Sequence, residues 1–341
     1  MTNQLGLISL FCGPGGMDQG FKNAGFTIKL AYDKDEACVC THRHNHPESE
    51  ALIADLSAIE VSKIINEWKC RSESSPIGII GGPPCQSFSI SNSYQNELDK
   101  RHNLPKDYAR ILDKINNFFN IDFFVFENVP SLKNKKHIAK FYKFNSLFEK
   151  AGFNIFEGVL DAQKFGVAQV RPRVFVVGVN KKKYPSFKFE FPESIHQQMK
   201  TVWDVFNDLP EPIWFSRGLS EDDIPYHPNH WCMVPRSSKF QNGNLKTGQT
   251  PGRSFRVLAW DKPSYTVAYG HMEVHIHPNC HRRLSVLEAM RLQGFPDSYV
   301  LKGTLQSQIR LVSEAVPPPV AAALAKALMV QMGYEKNFST T

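Results

Sequence analysis

The first half of the chain alternates apolar runs of strand length with segments of helix length, and this alternation constrains the fold more than any other feature. The apolar runs have the sequences LGLISLF (5–11), TIKLAYD (27–33), IGIIGG (77–82), DFFVFENV (122–129) and RVFVVGVN (173–180). Helix-length segments between them lie at 17–24, 59–68, 105–119 and 138–150. This order predicts an α/β fold in which helices cover both faces of a parallel-rich sheet. Ligands of such sheets bind beyond the carboxyl ends of the strands.

The second part of the chain has a different pattern. Prolines and charges interrupt the apolar runs after residue 180, and residues 201–278 contain short apolar pieces and many turns without a long helical segment. This predicts a second, smaller and irregular domain. A helical pattern returns in HRRLSVLEAMRLQGFPDSY (281–299), where Ser285 and Glu288 predict a capping box. A final alanine-rich helix is predicted at 320–332.

The composition limits the class of protein. With 341 residues and 42% hydrophobic content, the chain is long enough for two domains with a sizeable core. We find no run of 18 apolar residues and no export signal, so we expect no membrane span and a cytoplasmic location. Seven cysteines without a disulfide spacing are expected to be reduced thiols. The net charge of +7 suits a polyanionic partner without proving one.

A glycine-rich turn, FCGPGG (11–16), joins the first predicted strand to the first predicted helix. Glycines let the backbone approach a ligand closely, and the helix N-terminus behind them favours polar or anionic groups. The spacing is not GxGxxG, which weakens a dinucleotide interpretation, and a purely structural turn remains an alternative. Asp33 ends the second strand and can accept hydrogen bonds from ribose hydroxyls. Asp55 follows a third short strand, and either acid can instead be a helix cap or a solvated residue.

A single cysteine, Cys85, follows the buried strand IGIIGG and two prolines, and a polar, serine-rich stretch comes after it. The prolines stiffen the approach to the cysteine. A thiolate at the ligand face of a sheet is a strong nucleophile when a nearby charge or dipole lowers its pKa. The following loop (86–104) can close over a substrate. A buried, inert cysteine is the alternative, and it is the commoner fate of a lone cysteine.

Charged residues also mark the ends of two later strands. Glu127 ends the strand DFFVFENV, and a carboxylate after so many apolar residues is costly to bury unless it is paired or functional. Arg171 and Arg173 alternate at the start of the next strand, so we expect both to point the same way. They can hold a substrate carbonyl, or they can form an ordinary salt bridge with the glutamate.

In this order, the motifs FxGxGG, Asp33, PPCQ, ENV and QxRxR resemble the DNA (cytosine-5)-methyltransferase family of the bacterial restriction-modification type. The late motif RRLSVLEAMRLQGFPDSY is similar to that family's ninth block. The resemblance covers nearly the whole chain except about 181–263. It implies a Rossmann-like methyltransferase sheet that uses S-adenosyl-L-methionine, in a catalytic domain at 1–180 completed by 300–341. Residues 181–299 would form the target-recognition domain and hinge.

The resemblance also implies a reaction. A methyl group passes from the cofactor to carbon 5 of a cytosine flipped out of a specific short duplex DNA sequence. By match to the motifs, Cys85 attacks carbon 6 of the base and Glu127 binds its N3 and amino edge. Arg173 holds the O2 atom of the base, and Arg171 supports that site.

The resemblance places a cofactor cradle in the glycine-rich turn, lined by Phe11, Gly13, Gly15 and Gly16. Asp33 would hold the ribose, Asp55 the adenine amino group, and Pro84 the far wall. Near the C-terminus the family has G-N-[AS]-V-P, whereas this chain has SEAVP with Glu314 and Ala315. This departure can weaken cofactor binding, or Glu314 can bind the ammonium group of the methyl donor.

Residues expected to contact DNA fall into two sets. The loop after the cysteine contributes Gln86, Ser87, Ser89 and Arg101. The second domain contributes Arg236, Lys239, Lys246, Arg253 and Arg256. Between residues 236 and 262 there are six lysines or arginines and one acid, so a solvated basic surface remains an alternative.

Two other functions stay open from the sequence: an RNA cytosine-5 methyltransferase, and a DNA-binding homologue with impaired catalysis. We expect a monomer associated with the nucleoid, with duplex DNA as partner and no membrane partner. A cognate restriction endonuclease that acts on the same site without direct contact is a further candidate partner. We expect no metal: His42, His44 and His46 should not share one helix face.

Overall fold

The computed structural model describes residues 5–84, 103–194, 198–250, 252, 254–266 and 275–337. The first half holds β1 (Gly6–Leu10), α1 (Gly16–Asn23), β2 (Thr27–Asp33), α2 (Glu36–Asn45), β3 (Glu50–Ile53), α3 (Val61–Arg71), β4 (Gly78–Gly81), α4 (Leu104–Phe119), β5 (Phe123–Asn128), α5 (Ile138–Lys150), β6 (Phe153–Asp161) and β7 (Pro172–Asn180). The rest holds α6 (Val202–Phe206), β8 (Ile213–Trp214), β9 (Trp231–Cys232), β10 (Arg256–Val257), β11 (His275–Ile276), α7 (Val286–Leu292), α8 (Leu305–Glu314) and α9 (Pro318–Gln331).

The strands β1 to β7 form one seven-stranded sheet in the order β3-β2-β1-β4-β5-β7-β6. The neighbouring pairs among β1 to β5 run parallel, and β7 joins β5 in the antiparallel direction. The predicted α/β fold with a parallel-rich sheet is therefore confirmed. Because the parallel strands end at one edge, the segments after β1, β2, β3, β4 and β5 meet there.

The chain forms two compact units. The first comprises Met1–Leu160, Pro172–Glu193 and Ala321–Thr341, and the second comprises Asp161–Arg171 and Ser194–Val320. The first unit holds almost all of the sheet, together with helices α1 to α5. The functional limits predicted from the resemblance, with target recognition at 181–299, stay a prediction.

Aromatic side chains fill the core of the first unit and fix the middle of the sheet. The ring of Tyr108 on α4 lies 5.5 Å from Phe126 on β5, and Phe124 lies 4.9 Å from Phe148 on α5. The Tyr108 hydroxyl donates a hydrogen bond to the backbone oxygen of Val125 at 2.9 Å, which satisfies the only polar atom of a fully buried side chain. These contacts hold β5 in place, and Glu127 is the last residue but one of that strand.

The second unit has little regular structure, as the sequence predicted. Two short parallel pairs, β8 with β9 and β10 with β11, accompany α6, α7 and α8. The predicted capping box is confirmed: the Glu288 backbone N–H donates to the Ser285 hydroxyl, and the Glu288 carboxylate accepts from the Ser285 N–H. The same carboxylate binds the buried Arg282 guanidinium through both oxygens at 2.9 and 2.8 Å. This buried cap anchors α7 in the unit.

The segment Leu305–Gln331 has a length and a mean hydropathy, 1.2, that would allow a membrane span. However, 61% of its most apolar window is buried inside the protein. Residues 315–317 also divide it into α8 and α9. The segment is therefore typical of core helices.

Buried histidines occur in both units. His42 and His46 are buried with ring centroids 4.6 Å apart, whereas His44 is exposed. The three do not share one face, as predicted, but positions four apart do meet. Burial, together with the neighbouring His42, lowers the pKa of His46 to about 4. Burial likewise lowers the pKa of His275 and His277 to about 4.

We predict that acid destabilises the protein well before its carboxylates are protonated. Because the folded-state pKa of His46 lies near 4 and the unfolded value near 6.5, the unfolded chain binds more protons between these pH values. The free energy of unfolding should therefore be full above about pH 6.5 and fall as the pH drops towards 4. Urea unfolding at several pH values measures this slope. His46→Gln should make this slope shallower, with buried His275 and His277 contributing to what remains, and the exposed His44→Gln should not. Equal slopes for the two variants would contradict the assignment.

We also predict that Gly81→Ala destabilises the sheet by about 1–3 kcal/mol or more. A Cβ at position 81 would lie 2.2 Å from the backbone oxygen of Leu10 on the neighbouring strand, where no flexible side chain can move aside. The midpoint of chemical unfolding measures the effect. Gly252→Ala is the control, since a Cβ there meets no atom within 4 Å. Similar midpoints for the two variants would show that β4 can shift away.

Candidate active site

A carboxylate and a guanidinium meet at the carboxyl edge of the sheet. Glu127 lies on β5 and Arg173 on the antiparallel β7, and the Arg173 Nε atom is 3.2 Å from the Glu127 Oε1 atom. The side chains are only 12% and 14% exposed, so each charge needs the other. The pair is what the sequence suggested as one alternative for these residues. It can present a proton acceptor and a donor to one small polar ligand.

The backbone that leads to Cys85 packs directly against this ion pair. A Cβ at position 82 would lie 2.8 Å from the Glu127 Oε2 atom, so the glycine permits the close approach. Asn128 adds a second link, because its side-chain amide donates to the Pro83 backbone oxygen at 3.4 Å. Its Oδ1 atom accepts from the Val129 N–H at 2.8 Å. Asn128 was not singled out from the sequence beyond its place in ENV, since a buried amide gives no periodic signal.

Several predicted site residues lie outside the described residues. They are the proposed nucleophile and its loop, together with one basic residue of the second unit: Cys85, Gln86, Ser87, Ser89, Arg101 and Arg253. The described chain reaches Pro84, which follows β4 at the same edge of the sheet as Glu127.

The glycine-rich turn and Asp33 are joined by hydrogen bonds at the ends of β1 and β2. The Gly13 N–H donates to the Asp33 Oδ2 atom at 3.0 Å, and the Asp35 N–H donates to Oδ1 at 3.0 Å. Burial raises the pKa of Asp33, and these backbone donors act in the opposite direction. Gly13 and Gly15 have φ angles of 55° and 84°, which favour glycine.

The turn leaves room for a ligand. A Cβ at position 13 would meet no atom within 4 Å. A carboxylate has about four acceptor positions, so Asp33 can bind hydroxyls beyond its two backbone donors. An open glycine backbone next to an acid at a strand end fits the ribose of a nucleoside cofactor.

Asp55 is exposed in the loop between β3 and α3. Its Oδ1 atom accepts hydrogen bonds from the Ser57 N–H at 2.9 Å and the Ser57 hydroxyl at 2.7 Å. This contact closes a local turn, and the exposure of the side chain agrees with the alternative of a solvated residue. The Ala54 N–H donates to the Asp33 backbone oxygen at 2.8 Å, so the loop begins beside Asp33.

A buried polar network lies next to the glycine-rich turn. The Cys12 Sγ atom, an Asp18 carboxylate oxygen and a His42 ring nitrogen, all of types that can ligate metal ions, lie within 4.8 Å of one another. The Ser9 hydroxyl donates to the Asp18 Oδ1 atom at 2.7 Å, and the His42 Nε2 atom is 2.7 Å from Oδ2. Burial raises the pKa of the Cys12 thiol, and Asp33 and Asp18 raise it further. The network ties β1, α1 and α2 together at the turn, and its signal in the sequence, Asp18 in the first helical turn, was missed.

The two arginines of the QxRxR motif have different described partners. β7 begins at Pro172, so Arg171 precedes the strand and Arg173 belongs to it. The Arg171 Nη2 atom donates to the backbone oxygens of Ser313 at 2.7 Å and Ala315 at 2.8 Å. The side chain is 2% exposed. The expected contact with the glutamate is thus observed for Arg173, and the described contacts of Arg171 hold the end of α8.

Glu314, the residue that departs from the family pattern, ends α8. Its Oε2 atom lies 3.3 Å from the Arg310 Nη1 atom one turn earlier, with 39% and 38% of the side chains exposed. Such an exposed pair contributes little to stability. Ala315 follows the helix and is buried.

The second unit carries exposed basic side chains, and two of its basic side chains lie over aromatic rings. Arg236, Lys239 and Lys246 are exposed. The Lys239 Nζ atom lies 4.4 Å from the Phe255 ring centroid. The Arg256 guanidinium lies 5.5 Å from the Tyr265 ring. These contacts leave the cations at the surface, where they can meet phosphates or base edges.

Comparisons with known proteins agree with this geometry. The model of the C-5 cytosine-specific DNA methylase family matches residues 5–330. The type II methyltransferase M.MthTI of Methanothermobacter thermautotrophicus is 32% identical, with 94% of this chain and 96% of the relative covered. The type II methyltransferase M.FnuDI of Fusobacterium nucleatum is 33% identical, with 94% and 93% covered.

Among solved structures, a prophage-encoded E. coli protein described as a DNA modification methyltransferase has a TM-score of 0.79 and 25% identity. The match covers 97% of this chain and 100% of that protein. The relatives therefore match the chain nearly end to end, in sequence and in fold. The chain belongs to the C-5 cytosine-specific DNA methylase family and is a DNA cytosine-5 methyltransferase.

Proposed function

We propose that the protein transfers a methyl group from S-adenosyl-L-methionine to carbon 5 of a flipped-out cytosine in a specific short duplex DNA sequence, through a covalent adduct with Cys85. The observation that carries the proposal is the Glu127–Arg173 pair against Gly82, three residues before Cys85. In this proposal, the nucleophile would join this acceptor and this donor at one edge of the sheet. The two relatives named above as type II methyltransferases support a DNA substrate of the restriction-modification type.

The chemistry needs these groups because carbon 5 of cytosine is a poor nucleophile. The Cys85 thiolate adds to carbon 6, and the electron pair of the 5,6 double bond becomes available at carbon 5. Glu127 binds N3 and the amino edge of the ring and stabilises the proton at N3 as the thiolate adds. S-adenosyl-L-methionine, when bound, would supply an electrophilic methyl group to carbon 5, with cleavage of its S–CH3 bond and release of S-adenosylhomocysteine. A base then removes the proton from carbon 5, and the bond from Cys85 to carbon 6 breaks and restores the ring.

Arg173 has two tasks in this proposal. Its guanidinium fixes the orientation of the Glu127 carboxylate through the 3.2 Å contact. A guanidinium has five N–H donors, so it can also donate to the O2 atom of the base. By the resemblance, Arg171, the other arginine of the motif, would support the site that holds the base.

The cofactor would bind at the glycine-rich turn. Phe11, Gly13, Gly15 and Gly16 would line it, and Pro84 would form its far wall. Asp33 would bind the ribose hydroxyls and Asp55 the adenine amino group. Glu314 and Ala315 would complete the site by resemblance, and the Glu314 carboxylate is suited to the donor's ammonium group.

Duplex DNA is the proposed partner. The loop residues Gln86, Ser87, Ser89 and Arg101 would close behind the flipped base. The second unit would read flanking sequence with Arg236, Lys239, Lys246, Arg253 and Arg256. We propose a monomeric cytoplasmic enzyme, with a cognate restriction endonuclease as a candidate partner that shares the DNA site. An impaired DNA-binding homologue is the second candidate, because Glu314 stands where the family has asparagine.

We predict that Cys85→Ser abolishes methyl transfer, because a serine hydroxyl at neutral pH is a far weaker nucleophile than a thiolate. Base-resolution cytosine methylation of DNA from a methylation-free bacterial host measures the result. The wild type should methylate one short recurring sequence. Cys70→Ser, at an exposed cysteine on α3, should behave as wild type. Undiminished methylation by Cys85→Ser would overturn the mechanism, and methylation confined to RNA would overturn the substrate.

We predict that Glu127→Gln lowers the single-turnover rate of methyl transfer by about 10²–10⁴-fold. A neutral amide cannot share a proton with N3 of the base as a carboxylate can. Single-turnover methyl transfer to duplex DNA measures the rate. Glu149→Gln, at an exposed position on α5, should keep the wild-type rate. A Glu127→Gln rate within twofold of wild type would exclude the proton-holding role.

A further inference from the structure

We propose that Arg110 is a positioning residue that sets the enzyme's preference for adenine in the cofactor, by fixing the loop that carries Asp55. This inference rests on the proposed function, in which Asp55 binds the adenine amino group. Arg110 lies on α4 and outside every motif that the sequence analysis identified.

The loop in question, residues 54–60, joins β3 to α3 at the carboxyl edge of the sheet. Ser57 and Ala58 donate hydrogen bonds to Asp55 inside one turn, and the Ala54 N–H joins the start of the loop to the Asp33 backbone oxygen at 2.8 Å. The turn orients the carboxylate locally. The part of the loop after Asp55 is held by a further element.

Arg110 supplies the anchor through two backbone oxygens. Its Nη2 atom donates to Leu56 at 2.9 Å and its Nη1 atom donates to Ile59 at 3.1 Å. Leu56 directly follows Asp55, so this hydrogen bond lies one residue from the side chain proposed to bind adenine. The side chains of Leu56 and Ile59 are 2% and 8% exposed and pack in the core with α4. The guanidinium therefore binds the backbone of the loop through two hydrogen bonds, while two apolar side chains of the loop pack into the core.

A second charged residue, Asp107, lies beside Arg110 and the loop. The Asp107 Oδ1 atom lies 3.7 Å from the Arg110 Nε atom, one helical turn earlier on α4. Burial raises the pKa of Asp107, Arg110 lowers it, and Asp55 raises it again. Arg110 thus lies between the Asp107 carboxylate and two backbone carbonyls of the loop. We expect the loss of the guanidinium to free the loop, so that the Asp55 carboxylate leaves its binding position.

The test is the ratio of two affinities, measured calorimetrically without DNA. The ligands are S-adenosylhomocysteine and its analogue whose purine lacks the 6-amino group. The wild type should prefer the adenine ligand by about tenfold, since an unpaired acceptor facing the analogue costs roughly that much. Arg110→Ala should bring the ratio close to one, and Arg110→Lys, with a single nitrogen, should give an intermediate ratio. A general loss of folded protein weakens the apparent binding of both ligands equally, so it leaves the ratio of the two affinities unchanged.

Arg43→Ala is the matched control, because Arg43 also donates from a neighbouring helix to a backbone oxygen, that of Ala51 in β3, at 2.9 Å. Its ratio should equal that of the wild type. If Asp55→Ala loses the preference while both Arg110 variants keep it, the inference about Arg110 is wrong and the role of Asp55 stands. If the wild type shows no preference, the adenine contact fails and Arg110 has no such role. If Arg110→Ala does not fold, the ratio of Arg110→Lys decides.

Discussion

The ion pair between Glu127 and Arg173 is the interaction on which the candidate site depends. Both side chains are largely buried, so either charge alone would destabilise the end of the sheet. The pair exists because β7 runs antiparallel to β5, which brings a residue near the start of one strand beside a residue near the end of the other. An all-parallel sheet would place these two positions at opposite edges. The reversed strand is therefore a requirement of the site as well as a feature of the fold.

The sequence predicted the buried strands and the helices between them because their signal is local. β2 and α5 have the predicted limits, and the other predicted strands and helices of the first half differ by one to three residues. β6 was missed, since its residues are mostly half-exposed or exposed and lack an apolar run. α8 was missed for a related reason, because its polar face interrupts the apolar pattern within ten residues.

The motif residues of the candidate site could be predicted from the sequence, whereas the residues that hold them in place could not. Asp33, Glu127 and Arg173 lie at strand ends, where a charge after an apolar run is visible in one dimension. Asn128, Asp18 and Arg110 act through contacts with residues 24 to 54 positions away, and nothing in their local sequence marks those partners. The alternation rule also failed to separate the two arginines of one motif, because the strand begins only at Pro172.

The same contacts change what the net charge of +7 means. Arg171 and Arg282 are each 2% exposed and bind carbonyls or carboxylates inside the second unit. Arg43 and Arg110 donate to backbone oxygens, and Arg173 is paired with Glu127. Each of these guanidiniums contributes to the formal charge but is committed to the fold or to the site. In the proposed function, the electrostatic attraction for DNA would come from exposed cations such as Arg236, Lys239 and Lys246, and it would depend on where they lie rather than on the total.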